Sequence, residues 1–295
     1  KGIAMGAADV VPGVSGGTIA FISGIYEEVL ETISSFNFGL IQVFKEGGIS
    51  KVWKTINGSF LISLLSGIFI SIVSLAKSIS WLLENKPILV WSFFFGLVLA
   101  SIFFVGKQIA QWNYKIFIGL IVGSIFAYFI TILRPMVSEN SSSVFYFFSG
   151  ALAIIAMILP GISGSFILVL LGAYKPILNA IHEKNIQLLL IIAAGAVVGL
   201  LSFSRILKWL FNHYKNLTLA VLTGFLIGSL NKIWPWKEIL ETKEINGKII
   251  VINEQSISPF NFIGDNQIIY ALALAILGFL LILTLEKLAT VKSTD

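Results

Sequence analysis

Twice in this chain a proline, several glycines and small hydroxyl residues cut into a strongly apolar run. Pro12-Gly13-Val14-Ser15-Gly16-Gly17-Thr18 leads to Gly24-Ile25-Tyr26, and Pro160-Gly161-Ile162-Ser163-Gly164-Ser165 leads to Gly172-Ala173-Tyr174. Laid over each other at a shift of 148 residues, the two stretches share Pro, Gly, Ser, Gly, Ile, Gly and Tyr. The chemistry such residues can do is anion binding. A helix that starts at a break leaves its first N–H groups unpaired and carries the positive end of its dipole there. Glycine lets a bulky oxyanion approach those N–H groups, and serine or threonine hydroxyls can donate alongside them. The candidate substrate-binding residues are therefore Ser15, Gly16, Gly17, Thr18, Ser163, Gly164 and Ser165. A nucleotide-binding loop is excluded, because neither copy ends in Gly-Lys-Ser/Thr or follows a strand. Small residues also serve plain helix crossing in lipid. Two copies at corresponding positions favour the ligand reading, since paired, interrupted segments mark the binding sites of secondary transporters.

Few ionisable residues lie near these breaks. Asp9 stands three residues before Pro12, and its counterpart in the second copy is Met157. An intramembrane carboxylate is costly and tends to mark an ion or proton pathway, so Asp9 is a candidate coupling residue. The alternative is that it simply bonds the free N–H groups of the break. Lys77 and Arg205 occupy matching positions, each four residues before a tryptophan, Trp81 and Trp209. They could snorkel to the headgroups or guard the two mouths of a pathway as phosphate-binding cations, Arg205 in bidentate fashion. Glu27, Glu28 and Glu31 read as solvated. His182 and His213 lack ligand-like spacing and the chain has no cysteine, so no metal site or disulfide is expected. The breaks have no His, Cys or carboxylate pair beside them, and an enzyme is not expected either.

The elements that must position these residues are membrane helices. With 57% hydrophobic residues, 12% charged residues and a mean hydropathy of +0.93, the 295-residue chain is too apolar for water. Runs long enough to span a bilayer fall at 59–83, 88–106, 116–133, 187–211, 217–231 and 267–285. The stretches 1–35 and 144–180 are each cut near the middle into arms too short to cross, which reads as two re-entrant helical hairpins. From Gly67 the repeat continues at a shift of 128, pairing Gly67 with Gly195, Ser74 with Ser202, Gly96 with Gly224 and Ser101 with Ser229. The polar stretch 37–57 supplies the extra residues of the first half. The expectation is an all-α polytopic protein, a single membrane domain over 1–295 with repeat 1 at 1–135 and repeat 2 at 136–295. Each repeat is a re-entrant hairpin followed by three transmembrane helices, and because three is odd the repeats are inverted.

Charge orients this fold. Lys1, Lys45, Lys51, Lys54, Lys107, Lys115, Arg205, Lys208, Lys215, Lys287 and Lys292 gather on one side, which the positive-inside rule makes cytoplasmic together with both termini. Lys77, Lys86, Arg134, Lys175, Lys184 and the charge-balanced loop 231–266 face outward. In that loop Gly247 followed by Lys248-Ile249-Ile250-Val251-Ile252 suits a short strand or hairpin. The net charge of +5 sits in short loops, which fits membrane anchoring and not nucleic acid. The chain opens at Lys1 without Met, so upstream residues and a fuller first hairpin are expected.

The run Lys1-Gly2 with Met5-Gly6-Ala7-Ala8-Asp9-Val10-Val11-Pro12-Gly13-Val14-Ser15-Gly16-Gly17-Thr18-Ile19-Ala20, closing in Gly24-Ile25-Tyr26-Glu27, resembles the signature of the bacterial polyprenyl-phosphate transporter family. Pro160-Gly161-Ile162-Ser163-Gly164-Ser165 and Trp234-Pro235-Trp236 resemble its later motifs, so the resemblance covers nearly the whole chain. It implies that undecaprenyl phosphate, the lipid carrier of envelope glycan synthesis, is returned from the outer to the inner leaflet of the bacterial plasma membrane. The implied partners are that lipid phosphate and membrane lipid, with no cofactor apart from a coupling proton or sodium ion. Phe93-Phe94-Phe95 and Phe145-Tyr146-Phe147-Phe148 could line the route of the isoprenoid tail or be plain lipid-facing surface. Alternating access would come from one repeat rocking against the other. The alternatives are a transporter of a small water-soluble anion and an intramembrane enzyme acting on a lipid phosphate.

Overall fold

In the computed structural model the backbone is described for residues 1–11, 14–135, 142–245 and 248–291, with side chains for all of these but 76, 242–253 and 285–291. Pro12, Gly13, Gly247 and Lys292 lie outside the described residues, as does the side chain of Lys287. The first half runs α1 Gly2–Val10, α2 Gly16–Ile22, α3 Tyr26–Ser34, α4 Gly39–Thr55, α5 Gly58–Asn85, α6 Pro87–Lys107 and α7 Tyr114–Ile132. The second runs α8 Ser143–Ile158, α9 Gly164–Leu170, α10 Tyr174–His182, α11 Ile186–Ser229, the hairpin β1 Lys237–Ile245 with β2 Lys248–Ser256, and α12 Ile268–Val291. The protein is therefore mostly helical, with an antiparallel two-stranded ribbon in the loop where the sequence suggests one. Polar caps set several helix starts. Asn113, Ser142 and Asn185 accept from the N–H groups of Ile116, Phe145 and Leu188 at the heads of α7, α8 and α11.

Four of the described helices, α5, α6, α7 and α11, are long and apolar enough to cross a membrane, and α12 adds the apolar stretch Ile268–Thr284. The sequence separates 187–211 from 217–231, yet α11 joins them. The linking residues 212–216 contain no proline or glycine to stop a helix, and only Tyr214 leaves helical geometry, at φ −137° and ψ 45°. Lys86, between α5 and α6, has φ −139° and ψ 50°. These two joints correspond at the shift of 128.

Each interrupted stretch contains two bends where the sequence reading places one. The first lies between α1 and α2 in one copy and between α8 and α9 in the other. The second follows α2 and α9, where Gly24 and Gly172 take φ +67° and +72°, a conformation costly for any residue with a Cβ. Both ends are closed the same way. Ile25 N–H reaches the Ala20 carbonyl at 3.0 Å and Gly24 N–H that of Phe21 at 3.2 Å; Ala173 N–H reaches Leu168 at 2.9 Å and Gly172 N–H Val169 at 3.0 Å. The chain then leaves along α10 at 105° to α9.

Close helix crossings hold the bundle together, and they recur between the halves. A Cβ on Gly2 would overlap the Leu64 carbonyl of α5, and one on Gly150 the Ile192 carbonyl of α11. Gly96 of α6 lies against the Ala275 carbonyl of α12 as Gly224 of α11 lies against the Leu120 carbonyl of α7. Gly278 meets the Phe93 carbonyl as Gly123 meets that of Val221. So α1 packs on α5 as α8 packs on the first arm of α11, while α6 packs on α12 as the second arm of α11 packs on α7. The latter two pairs each join one half of the chain to the other. Phe93, Phe94 and Phe95 are half-buried against this core and Phe95 meets Trp234 edge-on at 5.4 Å; Phe148 is exposed.

Backbone contact of this kind leaves no room for a methyl group. Gly96→Ala and Gly224→Ala should each destabilise the folded protein by about 1–3 kcal/mol through overpacking. Gly106→Ala, with nothing within 4 Å of the new Cβ, should not lower the melting temperature in detergent.

Candidate functional site

The two breaks, 148 residues apart in the sequence, lie against each other. Gly161 N–H donates to Thr18 Oγ1 at 2.9 Å. Ser15 Oγ donates to the Met157 carbonyl at 2.6 Å, and Tyr26 Oη to the Ile158 carbonyl at 3.1 Å. The end of α8 exposes those carbonyls because no further helical turn follows to accept their bonds. Gly17 lies so near that a Cβ there would stand 2.7 Å from the Met157 oxygen. Of the predicted site residues, Ser15, Gly16, Gly17, Thr18, Ser163, Gly164 and Ser165 thus belong to two contacting segments, with Ser15, Thr18 and Ser163 buried and Ser165 exposed.

Within that contact the breaks are in different electrostatic states. At the first, every N–H of the opening turn of α2 has a partner. Gly16 donates to Asp9 Oδ1 at 2.6 Å, Gly17 to Ser15 Oγ at 3.0 Å and Thr18 to the Ser15 carbonyl at 2.9 Å. Asp9 therefore occupies the anion position of its own hairpin, which is the alternative role that the sequence leaves open to it. At the second break Met157 stands where Asp9 stands in the first. Among the described residues, the N–H groups of Gly164, Ser165 and Phe166 have no protein acceptor, while the Ser163 and Ser165 hydroxyls bond each other at 2.9 Å. The second break can accept an oxyanion without displacing a carboxylate.

Lys77 and Arg205 are elsewhere. Arg205 donates from Nη2 to the Phe36 carbonyl beyond α3 at 2.8 Å, and Lys77 is exposed on α5 with no hydrogen bond or ion pair among the described residues. Neither bonds to a residue of the breaks. Among the described residues no group of three His, Cys, Asp or Glu is placed to hold a metal; His213 stacks on Trp209.

A cationic cluster that the sequence reading misses lies beside the second break. Lys232 Nζ donates to Glu254 Oε1 at 2.9 Å and stands 4.5 Å from the ring centre of Phe166, in the first turn of α9. Lys237 Nζ donates to the same Glu254 oxygen at 2.8 Å and to the Lys232 carbonyl at 2.6 Å, and sits 4.8 Å over the Trp91 ring. Burial pushes Lys237 below its ordinary value, and Glu254 only partly offsets this. Burial pushes the Glu254 carboxyl up, but the two ammoniums outweigh it and hold Glu254 below the usual carboxylate value. In the sequence these charges read as a balanced loop. The signal available there was the pair of lysines bracketing Trp234-Pro235-Trp236; the carboxylate arrives only through the register that sets Ile239 opposite Glu254.

Residues 5–250 match the undecaprenyl phosphate translocase-like family. The chain is 51% identical over 294 residues to a protein of Vibrio cholerae serotype O1 named polyprenyl-phosphate transporter, covering 98% of this chain and 95% of that one. It is 31% identical over 252 residues to a protein of Staphylococcus aureus of the same name, covering 80% and 84%. No solved structure matches the chain.

Proposed function

This chain belongs to the undecaprenyl phosphate translocase-like family, and from that premise we propose that it is a transporter that returns undecaprenyl phosphate from the outer to the inner leaflet of the bacterial plasma membrane. The observation that carries this reading is the pairing of two helix breaks, one closed by its own carboxylate and one with free donors. In lipid, unpaired backbone is tolerated only where it lines a cavity or is buried in protein. A phosphomonoester resting at Gly164, Ser165 and Phe166 would take the place of water around those N–H groups, while its tail remained in lipid. The relatives' names favour a lipid phosphate over a water-soluble anion, and transport over hydrolysis.

On this reading α1 with α2 and α3, and α8 with α9 and α10, are re-entrant hairpins within one membrane domain, and the repeats at 1–135 and 136–295 are inverted, with both termini cytoplasmic. The recurring glycine contacts and matching joints at Lys86 and Tyr214 support a common repeat. Because α6 pairs with α12 and α7 with α11, access alternates by movement of the hairpin-bearing pairs against that shared scaffold rather than of one whole half against the other. Moving a phosphate inward against an inside-negative potential costs roughly 2.3 kcal/mol per charge per 100 mV, so a compensating cation is expected. We assign that role to Asp9, proton- or sodium-loaded, the carboxylate that bonds the first break.

Orientation is tested by labelling, which the absence of native cysteine simplifies. Single cysteines at exposed Glu46 and Glu238 should react with impermeant reagent from opposite faces; reaction from one face would contradict the inverted arrangement. For the site, Gly164 is a poor target because a Cβ would press on the Ala153 carbonyl at 2.6 Å, whereas Ser165 is exposed. Ser165→Val should weaken undecaprenyl phosphate binding by about tenfold, the equivalent of one charge-assisted hydrogen bond, with the melting temperature unchanged. Unchanged affinity would leave the second break a packing device. Asp9→Asn should retain lipid-phosphate binding in detergent while uncoupling uptake into liposomes from an imposed proton or sodium gradient. Gradient-driven uptake equal to wild type would remove Asp9 from coupling, and equal uptake without any gradient would indicate passive scrambling.

A further inference from the structure

The Lys232, Lys237 and Glu254 cluster has two ammonium groups on one carboxylate oxygen, and the two are not equivalent. Lys237 is spent on structure: its side chain is 12% exposed and bonds both Glu254 and the Lys232 carbonyl, with Trp91 beneath it. Lys232 is 21% exposed, has a single acceptor, and leans onto Phe166. Phe166 is the neighbour in sequence of Ser165, the exposed hydroxyl of the second break. Trp234 and Trp236 donate their indole N–H groups to the Ile257 and Asn266 carbonyls, each at 2.8 Å, and fix the ribbon that carries Glu254 to the end of the bundle. The three groups together carry one net positive charge, and Lys232 is the ammonium of the pair that reaches α9.

We propose that Lys232 is the outward receptor for the substrate headgroup, exchanging its bond to Glu254 for one to the phosphomonoester of a polyprenyl lipid before that phosphate reaches the second break. The proposal rests on the transport reading given above. Exchange is feasible because releasing Lys232 does not strand Glu254: Lys237 still bonds the same oxygen at 2.8 Å. Breaking a pair is strongly destabilising chiefly when it leaves a buried charge without a partner. The same arrangement supports release. Once the phosphate moves inward, Glu254 reclaims Lys232 and resets the outer mouth. A role as a simple staple between ribbon and bundle is the competing account, and the two differ in sign.

The test is affinity for undecaprenyl phosphate, with undecaprenol as the uncharged reference, measured in detergent alongside melting temperature. If Lys232 receives the phosphate, Lys232→Gln should weaken phosphate-dependent binding by about tenfold, Lys232→Arg should largely retain it, and Glu254→Gln should tighten it several-fold by removing the competitor. A staple predicts that Lys232→Gln and Glu254→Gln lower affinity and melting temperature together, and that outcome overturns the proposal. A second measurement avoids variants altogether. In the wild-type protein, added undecaprenyl phosphate but not undecaprenol should protect Lys232 from amine-reactive labelling; equal labelling with both lipids also overturns it. Wild-type protein that binds undecaprenyl phosphate while Lys232 proves indifferent refutes this inference alone, whereas wild-type protein that binds none refutes the transport reading as well.

Discussion

A backbone that stops being helical inside a bilayer has no water to turn to, and each unsatisfied group there costs several kcal/mol. That constraint organises this molecule. The carbonyls freed at the end of α8 are taken by Ser15 and Tyr26, and the N–H of Gly161 by Thr18. The first break therefore caps the second. Three side chains separated from their hydrogen-bond partners by more than a hundred residues, two donating and one accepting, bring the two interrupted segments into contact. The crossings of α1 on α5 and of α8 on α11 hold the hairpins near enough for those bonds to form. A bend at the close of each short helix, closed by Gly24 or Gly172, then redirects the chain, at 105° between α9 and α10.

The capping is not reciprocal, and the sequence differences between the repeats say why. Asp9 corresponds to Met157, Gly17 to Ser165 and Thr18 to Phe166. The first and last of these remove a lock from the second copy: no carboxylate meets the first N–H of α9, and no threonine reaches back across the interface. Ser163 turns to Ser165 in place of a distant carbonyl. A repeat whose halves were chemically identical would satisfy both breaks or neither. Here one is sealed and the other holds spare donors, and the lone aromatic at Phe166 meets a lysine instead of a partner backbone.

What could be read in the sequence follows the same division. Breaks, spans and the repeat were legible, because proline, glycine and hydropathy act over a few residues and the duplication doubles the signal. The two-stranded ribbon was also visible in the β-branched run after Gly247. The second bend was present as Gly24-Ile25-Tyr26 and Gly172-Ala173-Tyr174, but an isolated glycine does not reveal whether it ends a helix or eases a crossing. The join at Tyr214 went unseen because polar residues between two apolar runs look like a loop. The Lys232 cluster depends on strand register and on the placing of α9 against the end of α11, neither of which local pattern encodes. The signature pointed to the family; only the folded chain distinguishes the break that Asp9 fills from the one that stays open.

The glycine crossings also limit how such a molecule can move. Gly96 on Ala275, Gly278 on Phe93, Gly224 on Leu120 and Gly123 on Val221 are backbone-to-backbone contacts, and packed interiors of this density do not deform continuously. Two of those contacts tie α6 to α12 and two tie α7 to α11, so each links the first half of the chain to the second. The halves cannot part as units without breaking all four. Lys86 and Tyr214, in contrast, are single non-helical residues with nearly equal dihedrals, at φ −139° and −137°, placed where each hairpin-bearing pair meets the shared scaffold. Rotation there changes two backbone angles per joint and leaves those four scaffold contacts intact, while the close approaches of Gly17 to Ile158 and of Gly161 to Phe225 lie across the moving boundary. For the transport cycle proposed above, those two joints are the cheapest places to move, and the hydrogen bonds between the breaks are the contacts that movement would exchange.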